Sequence, residues 1–137
     1  MEAWVAFALL CLISWGAWGV VLKYAYASSN WLQVYFVSSL ASFTLSLAVF
    51  GASRASLSID RGFYLAALAG LLGGAGYVFF VKALETGKAS VVIPLTALYP
   101  AVTVAMAAAL LRERPSPYQA VGIVLAVIAS VLLSLSG

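Results

Sequence analysis

Within the stretch VVIPLTALYPAVTVAM (residues 91–106), Thr96, Tyr99, Pro100 and Thr103 fall at i, i+3, i+4 and i+7, one face of a helix. Two hydroxyls and a phenol can each donate and accept a hydrogen bond. Pro100 has no N–H to offer the carbonyl of Thr96, so the spacing leaves a further acceptor on the same face. In hydrocarbon an unpaired carbonyl costs several kcal/mol, so it must face protein, water or a ligand. Two readings follow: a wall that hydrogen-bonds a solute, or a proline kink satisfied by a Thr or a neighbouring helix. Pro94 lies about one turn into the same helix, where it releases the carbonyl of Ser90 and is less telling.

Other polar or flat side chains recur at helical spacing. Tyr35, Ser38, Ser39, Ser42 and Ser46 form one stripe. Its serines either line an interior surface or bond back to their own helix carbonyls. Trp15 and Trp18 share a face about a dozen residues into an apolar run, past the midplane of a bilayer, where they serve as cavity wall or interfacial anchor. In GLLGGAGYVFF, Gly70 and Gly74 have GxxxG spacing, and Gly73 is in line with Tyr77. These glycines are expected to allow close helix packing, with Tyr77 as the cavity group. Gly122, Ala126, Ser130 and Ser134 repeat every fourth residue, a small-residue face for helix or subunit contact.

Catalysis would require a nucleophile with a base, paired carboxylates or metal ligands. The apolar segments hold no Asp, Glu, Lys, Arg or His, and the chain has one Cys and no His. No catalytic residue, metal site or cofactor is therefore expected. The same lack argues against obligatory proton coupling through a carboxylate within the membrane. Lys82 and Glu85, at i and i+3, read as a helix-end ion pair.

The elements that must position these residues are set by composition. Charged residues are 8 % of the chain and hydrophobic ones 65 %, against about 25 % charged in soluble domains. Five uncharged runs, Ala3–Leu22, Trp31–Ala52, Gly62–Val81, Ala89–Leu111 and Ser116–Ser136, are each long enough to cross a hydrocarbon core that needs about 20 apolar residues. Every charge falls between these runs or at Glu2. The expected fold is an all-α membrane protein with five transmembrane helices, and residues 1–137 form one membrane domain. The lipid bilayer is its solvent, and nucleic acid is not an expected partner, because Lys and Arg sit in loops that orient spans. Five spans place Arg54, Arg61, Arg112 and Arg114 on one face and Lys23, Lys82 and Lys88 on the other. Four against three is a small bias under the positive-inside rule, compatible with one orientation or with insertion both ways.

The segment WGAWGVVLKYA and the long stretch from Ala83 to Leu133 closely resemble the EamA repeat of the drug/metabolite transporter superfamily. The shared points are Trp15-Gly16, Ala83-Leu84, Ala89-Ser90, Pro100, Glu113 at the end of the fourth span, and Gly122. The resemblance implies a carrier, an exporter of small metabolites or drugs in the cell membrane, with a central cavity and alternating access. Typical members have two inverted repeats; this chain carries one, and an antiparallel homodimer would supply the ten helices. A partner subunit that does not itself transport, and a subunit of a lipid-linked sugar flippase, are the alternatives. Glu113 is expected to close its short loop with its arginine neighbours. The cavity would be walled by Trp15, Trp18, Tyr35, Ser39, Ser42, Tyr77, Thr96, Tyr99 and Thr103. Aromatic rings with hydroxyls and no buried countercharge suit an amphipathic or zwitterionic small molecule over a strongly charged one.

Overall fold

A computed structural model describes residues 2–112 and 115–135. Glu113, Arg114 and Ser136 lie outside the described residues. Five helical segments, Ala3–Ala25, Trp31–Ala52, Arg61–Thr86, Ala89–Leu111 and Pro117–Leu135, are long and apolar enough to cross a membrane. The protein is an all-α membrane helix bundle with five spans, as composition requires. Two compact units divide it, Met1–Glu85 and Thr86–Gly137.

The first unit holds α1 (Ala3–Ala25), α2 (Trp31–Ala52) and α3 (Arg61–Thr86). Side chains cap the starts of α2 and α3. Asn30 Oδ1 accepts from the Gln33 amide at 3.0 Å, and Asp60 Oδ1 accepts from the Phe63 amide at 3.0 Å. The third helix runs past the expected end at Val81, so Lys82 and Glu85 belong to its last turns and not to a loop. Their ion pair, 2.7 Å at i and i+3, fits a helix that continues through them.

Burial in this unit is confined to one end. Gly19 and Leu22 of α1, Val34 of α2, and Val81 and Leu84 of α3 are the buried residues of their helices. Residues 40–52 of α2 and 61–73 of α3 are exposed throughout. The three helices are therefore joined near the end of α1, the start of α2 and the end of α3, and are unpacked toward their other ends. Gly70 lies in the unpacked part and Gly74 is half-buried beside it, and an added Cβ at either would meet nothing within 4 Å.

The second unit contains a broken span. The sequence suggested one kinked helix over Ala89–Leu111; the structure has α4 (Ala89–Thr96), a turn at Ala97 and Leu98, α5 (Tyr99–Met106) and a π-helical turn over Ala107–Leu111. Pro100 sits in the first turn of α5, where a missing N–H is tolerated, and Pro94 lies inside α4 without breaking it. The π turn stops at Arg112, whose left-handed backbone (φ 56°) sends its N–H back to the Ala107 carbonyl. The last helix, α6 (Pro117–Leu135), packs against α4, and Val92 and Ser130 are the buried residues of α4 and α6.

Candidate functional site

Helical spacing in the first unit converges three faces. Trp18 and Leu22 are four apart on α1, Val34 and Ser38 four apart on α2, and Tyr77, Phe80, Val81 and Leu84 line one side of α3. The aliphatic members form the buried core, and the aromatic members form a ring cluster beside it. Trp18 stacks on Phe80 with centroids 5.2 Å apart and 18° between planes. Tyr77 lies 5.8 Å from Trp18 and 5.7 Å from Tyr35. Such pairs contribute about 0.5–1.5 kcal/mol each beyond area burial. The Ser38 hydroxyl lies 2.6 Å from the Tyr77 hydroxyl and within bonding distance of its own helix carbonyls at Val34 and Tyr35. Ser38 has one proton, and donating it to a helix carbonyl leaves Tyr77 to donate to Ser38. That order fixes the phenol against α2.

A polar latch sits beyond the cluster, at the joined end of the helices. Lys23 Nζ donates to the Leu84 carbonyl at 2.8 Å, and Tyr26 Oη donates to the Val81 carbonyl at 2.6 Å. Leu84 is within the last four residues of α3, whose carbonyls have no partner inside the helix. In return, Glu85 Oε1 accepts from the Trp31 amide at 3.1 Å, at the first residue of α2. The last turn of α1 thus caps the end of α3, and α3 caps the start of α2. Lys82, paired with Glu85, stands 5.0 Å from the centre of the Trp31 ring.

Burial, with smaller contributions from Tyr77 and Glu85, pushes the Tyr26 phenol up to about 12. An exposed tyrosine titrates near about 10. The neutral phenol is the form the fold favours, so its contribution is complete below about pH 10 and is lost as pH rises through about 12. Phenolate absorbance is expected to include a late step from Tyr26, and Tyr26→Phe to remove it. A late step that survives the substitution would assign it to another phenol.

A groove of about 440 Å3 opens between α1 and α2. Trp18 and Ser38 belong both to its lining and to the ring cluster. Ser14, Ser29 and Gln33 add polar groups, the remaining lining is aliphatic, and no charged side chain among the described residues contributes. Its size falls within the roughly 300–1,000 Å3 of small-molecule sites.

In the second unit, a crevice of about 620 Å3 lies along α5 and α6, lined among others by Pro100, Ala101, Val104, Gln119, Gly122 and Ala126. Thr96, Tyr99 and Thr103 are absent from this lining. The helix break separates Thr96 from the other two, so the continuous face expected from their spacing does not form. Both threonines bond back to their own helices, Thr96 Oγ1 to the Val92 and Ile93 carbonyls and Thr103 Oγ1 to the Tyr99 carbonyl. Tyr99 is exposed.

Of the remaining sequence candidates, Trp18, Tyr35 and Tyr77 are brought together, with Ser38 from the same stripe. Trp15 is exposed, Ser39 is half-buried, and Ser42 and Ser46 are exposed on the unpacked part of α2. Ser46 bonds back to the Phe43 carbonyl at 2.7 Å. Sequence reasoning missed Phe80, Tyr26 and Gln33. Phe80 carried a readable signal, three residues after Tyr77 on the same face; the other two carried none, because a turn phenol and a lone Gln have no period. Among the described residues, no group of three His, Cys, Asp or Glu is placed to hold a metal ion.

The sequence profile of the EamA-like transporter family matches residues 2–135. The chain is 44 % identical over 61 residues to the uncharacterized protein MJ1333.1 of Methanocaldococcus jannaschii. The match covers 44 % of each chain, so it spans under half of that relative's length. No solved structure matches the chain.

Proposed function

Because this chain belongs to the EamA-like transporter family, we propose that it is a carrier exporting small metabolites or drugs across the cell membrane by alternating access. Members of this family are membrane transporters and not enzymes. The observation that carries the mechanism is the asymmetry of the first unit: α1, α2 and α3 are latched at one end and unpacked toward the other. A solute entering from the unpacked side would meet the rings of Trp18, Tyr35 and Tyr77 before the latch of Lys23, Tyr26 and Glu85. Release on the far side requires those cap hydrogen bonds to break. They are exchangeable for water at a membrane surface, so the latch can open at modest cost.

Two antiparallel copies would make the functional unit. Five spans leave the two termini on opposite faces, so a second copy in the same orientation cannot reproduce an inverted repeat, whereas an inverted copy can. The near-balanced loop charges are compatible with both insertions. Solute screening in proteoliposomes of the purified chain tests the carrier. Saturable movement of a small molecule by this protein alone is expected, and movement only after adding another membrane protein would replace this reading with a partner subunit. Topology reporters fused after Gly137 test the dimer. Signal from both sides of the membrane is expected; signal from one side only would exclude the antiparallel arrangement.

A further inference from the structure

We infer that the groove between α1 and α2 binds an uncharged, planar aromatic molecule with one polar edge, and that this is the substrate class of the carrier proposed above. The inference rests on that carrier reading for its physiological meaning, but its geometry is independent of it. Trp18 is 39 % exposed while its ring stacks on Phe80. A ring anchored by stacking on one neighbour and open to a groove offers a rigid flat surface. Aromatic solutes prefer to meet such a surface in offset-stacked or edge-to-face geometry.

Charge decides against the other solutes that aromatic walls can hold. Among the described residues, no ionisable side chain lines the groove. The nearest charges are already used: Lys82 pairs with Glu85 at 2.7 Å, Glu85 accepts from the Trp31 amide, and Lys23 donates to the Leu84 carbonyl. An organic cation would gain the faces of the rings but would lose its hydration with no carboxylate to replace it. A carboxylate would lose hydration with no cation facing it. A neutral ring loses little on leaving water. Gln33, which can donate and accept, and the hydroxyl of Ser29 near it in the chain supply partners for one N–H, O–H or carbonyl at its edge.

Indole, benzoate and benzyltrimethylammonium are suitable probes, being similar in size and respectively neutral, anionic and cationic. Binding of radiolabelled indole to the full chain in nanodiscs, corrected with protein-free discs, is expected to saturate. Each charged probe should compete at least tenfold more weakly than unlabelled indole. Trp18→Ala should weaken indole binding tenfold or more, Trp18→Phe should keep most of it, and Gln33→Leu should weaken it several-fold without touching the ring cluster. Ser46→Ala, away from the groove, should leave it unchanged. Indole bound equally by all variants, or bound more weakly than either charged probe, would overturn the inference. Indole binding that depends on Trp18 in a protein that moves no solute would uphold the site and remove the carrier reading. Saturable transport of a solute that indole does not inhibit would uphold the carrier and overturn the site.

Discussion

Replacing Pro100 with alanine is expected to join α4 and α5 into one continuous helix. The break between them is slight in backbone terms. Ala97 (φ −66°, ψ −2°) and Leu98 (φ −75°, ψ −7°) remain in the right-handed helical region, displaced mainly in ψ. The Ala97 amide still makes an α-helical bond to the Ile93 carbonyl at 2.9 Å, while the Leu98 amide turns to the carbonyl three residues back, Leu95, at 3.3 Å. What stops the helix is the proline ring, which crowds the Thr96 carbonyl and offers it no N–H. A proline in a helix interior costs about 3 kcal/mol. Removing it should favour the continuous helix by the same order, since an amide at position 100 can then reach Thr96. Hydrogen exchange provides the readout: the amide introduced at position 100 should exchange about a hundredfold more slowly than a free amide, as that energy implies. An unprotected amide there would mean that packing against α6, and not the proline, holds the break. The crevice lined by Leu98, Pro100 and Ala101 should also narrow, because Leu98 would rotate into the straightened helix.

Leu84→Ala is expected to be the most damaging of the conservative substitutions in the first unit. Leu84 is 0 % exposed, and it meets the buried end of the unit together with Val81, Leu22 and Val34. Lipid chains are as apolar as leucine, so separating the helices in a bilayer or detergent recovers little transfer energy. What the substitution removes is packing: a void lined by aliphatic groups, worth about 2 kcal/mol or more. The hydrogen bond from Lys23 survives, because it goes to the backbone carbonyl of Leu84. Reversible unfolding in mixed micelles of rising SDS content measures the loss, with Leu45→Ala as the comparison. Leu45 is 66 % exposed on α2, and its replacement should change stability by less than about 0.5 kcal/mol. Equal losses at the two positions would show that the buried end is not what holds the three helices together.

These two residues mark where sequence reading succeeds and where it stops. Pro100 was legible as an interruption, because a missing N–H is a covalent property that no fold can restore. Whether the interruption would bend the helix or divide it was not legible. That depends on how Leu98 redirects its amide and on the helix that packs alongside. The face of Thr96, Tyr99 and Thr103 was drawn on an ideal helix, and a two-residue turn inside it was enough to separate them. Leu84 shows the opposite case. In a chain where 65 % of residues are hydrophobic, one leucine looks like any other. Its burial comes from the cap bonds that draw the end of α3 to the α1–α2 turn, which join residues 54 to 61 positions apart.

Composition alone determined that this protein lives in a membrane and crosses it five times. Backbone amides in hydrocarbon must pair with carbonyls, in helices or closed barrels; uncharged runs of about 20 residues are helix length and not strand length, and the charges mark their ends. Helical period likewise placed Tyr35 with Ser38, and Gly122 with Ala126, each pair on one face. The tertiary structure decided which faces meet. Lipid gives no hydrophobic preference for one apolar face over another, so the choice falls to a few polar bonds and ring contacts whose partners are distant in sequence. Those contacts joined Trp18, Tyr35 and Phe80 around Tyr77 and closed one end of the unit with Lys23, Tyr26 and Glu85. They left Trp15, Ser42 and Gly70 exposed to lipid or to another chain.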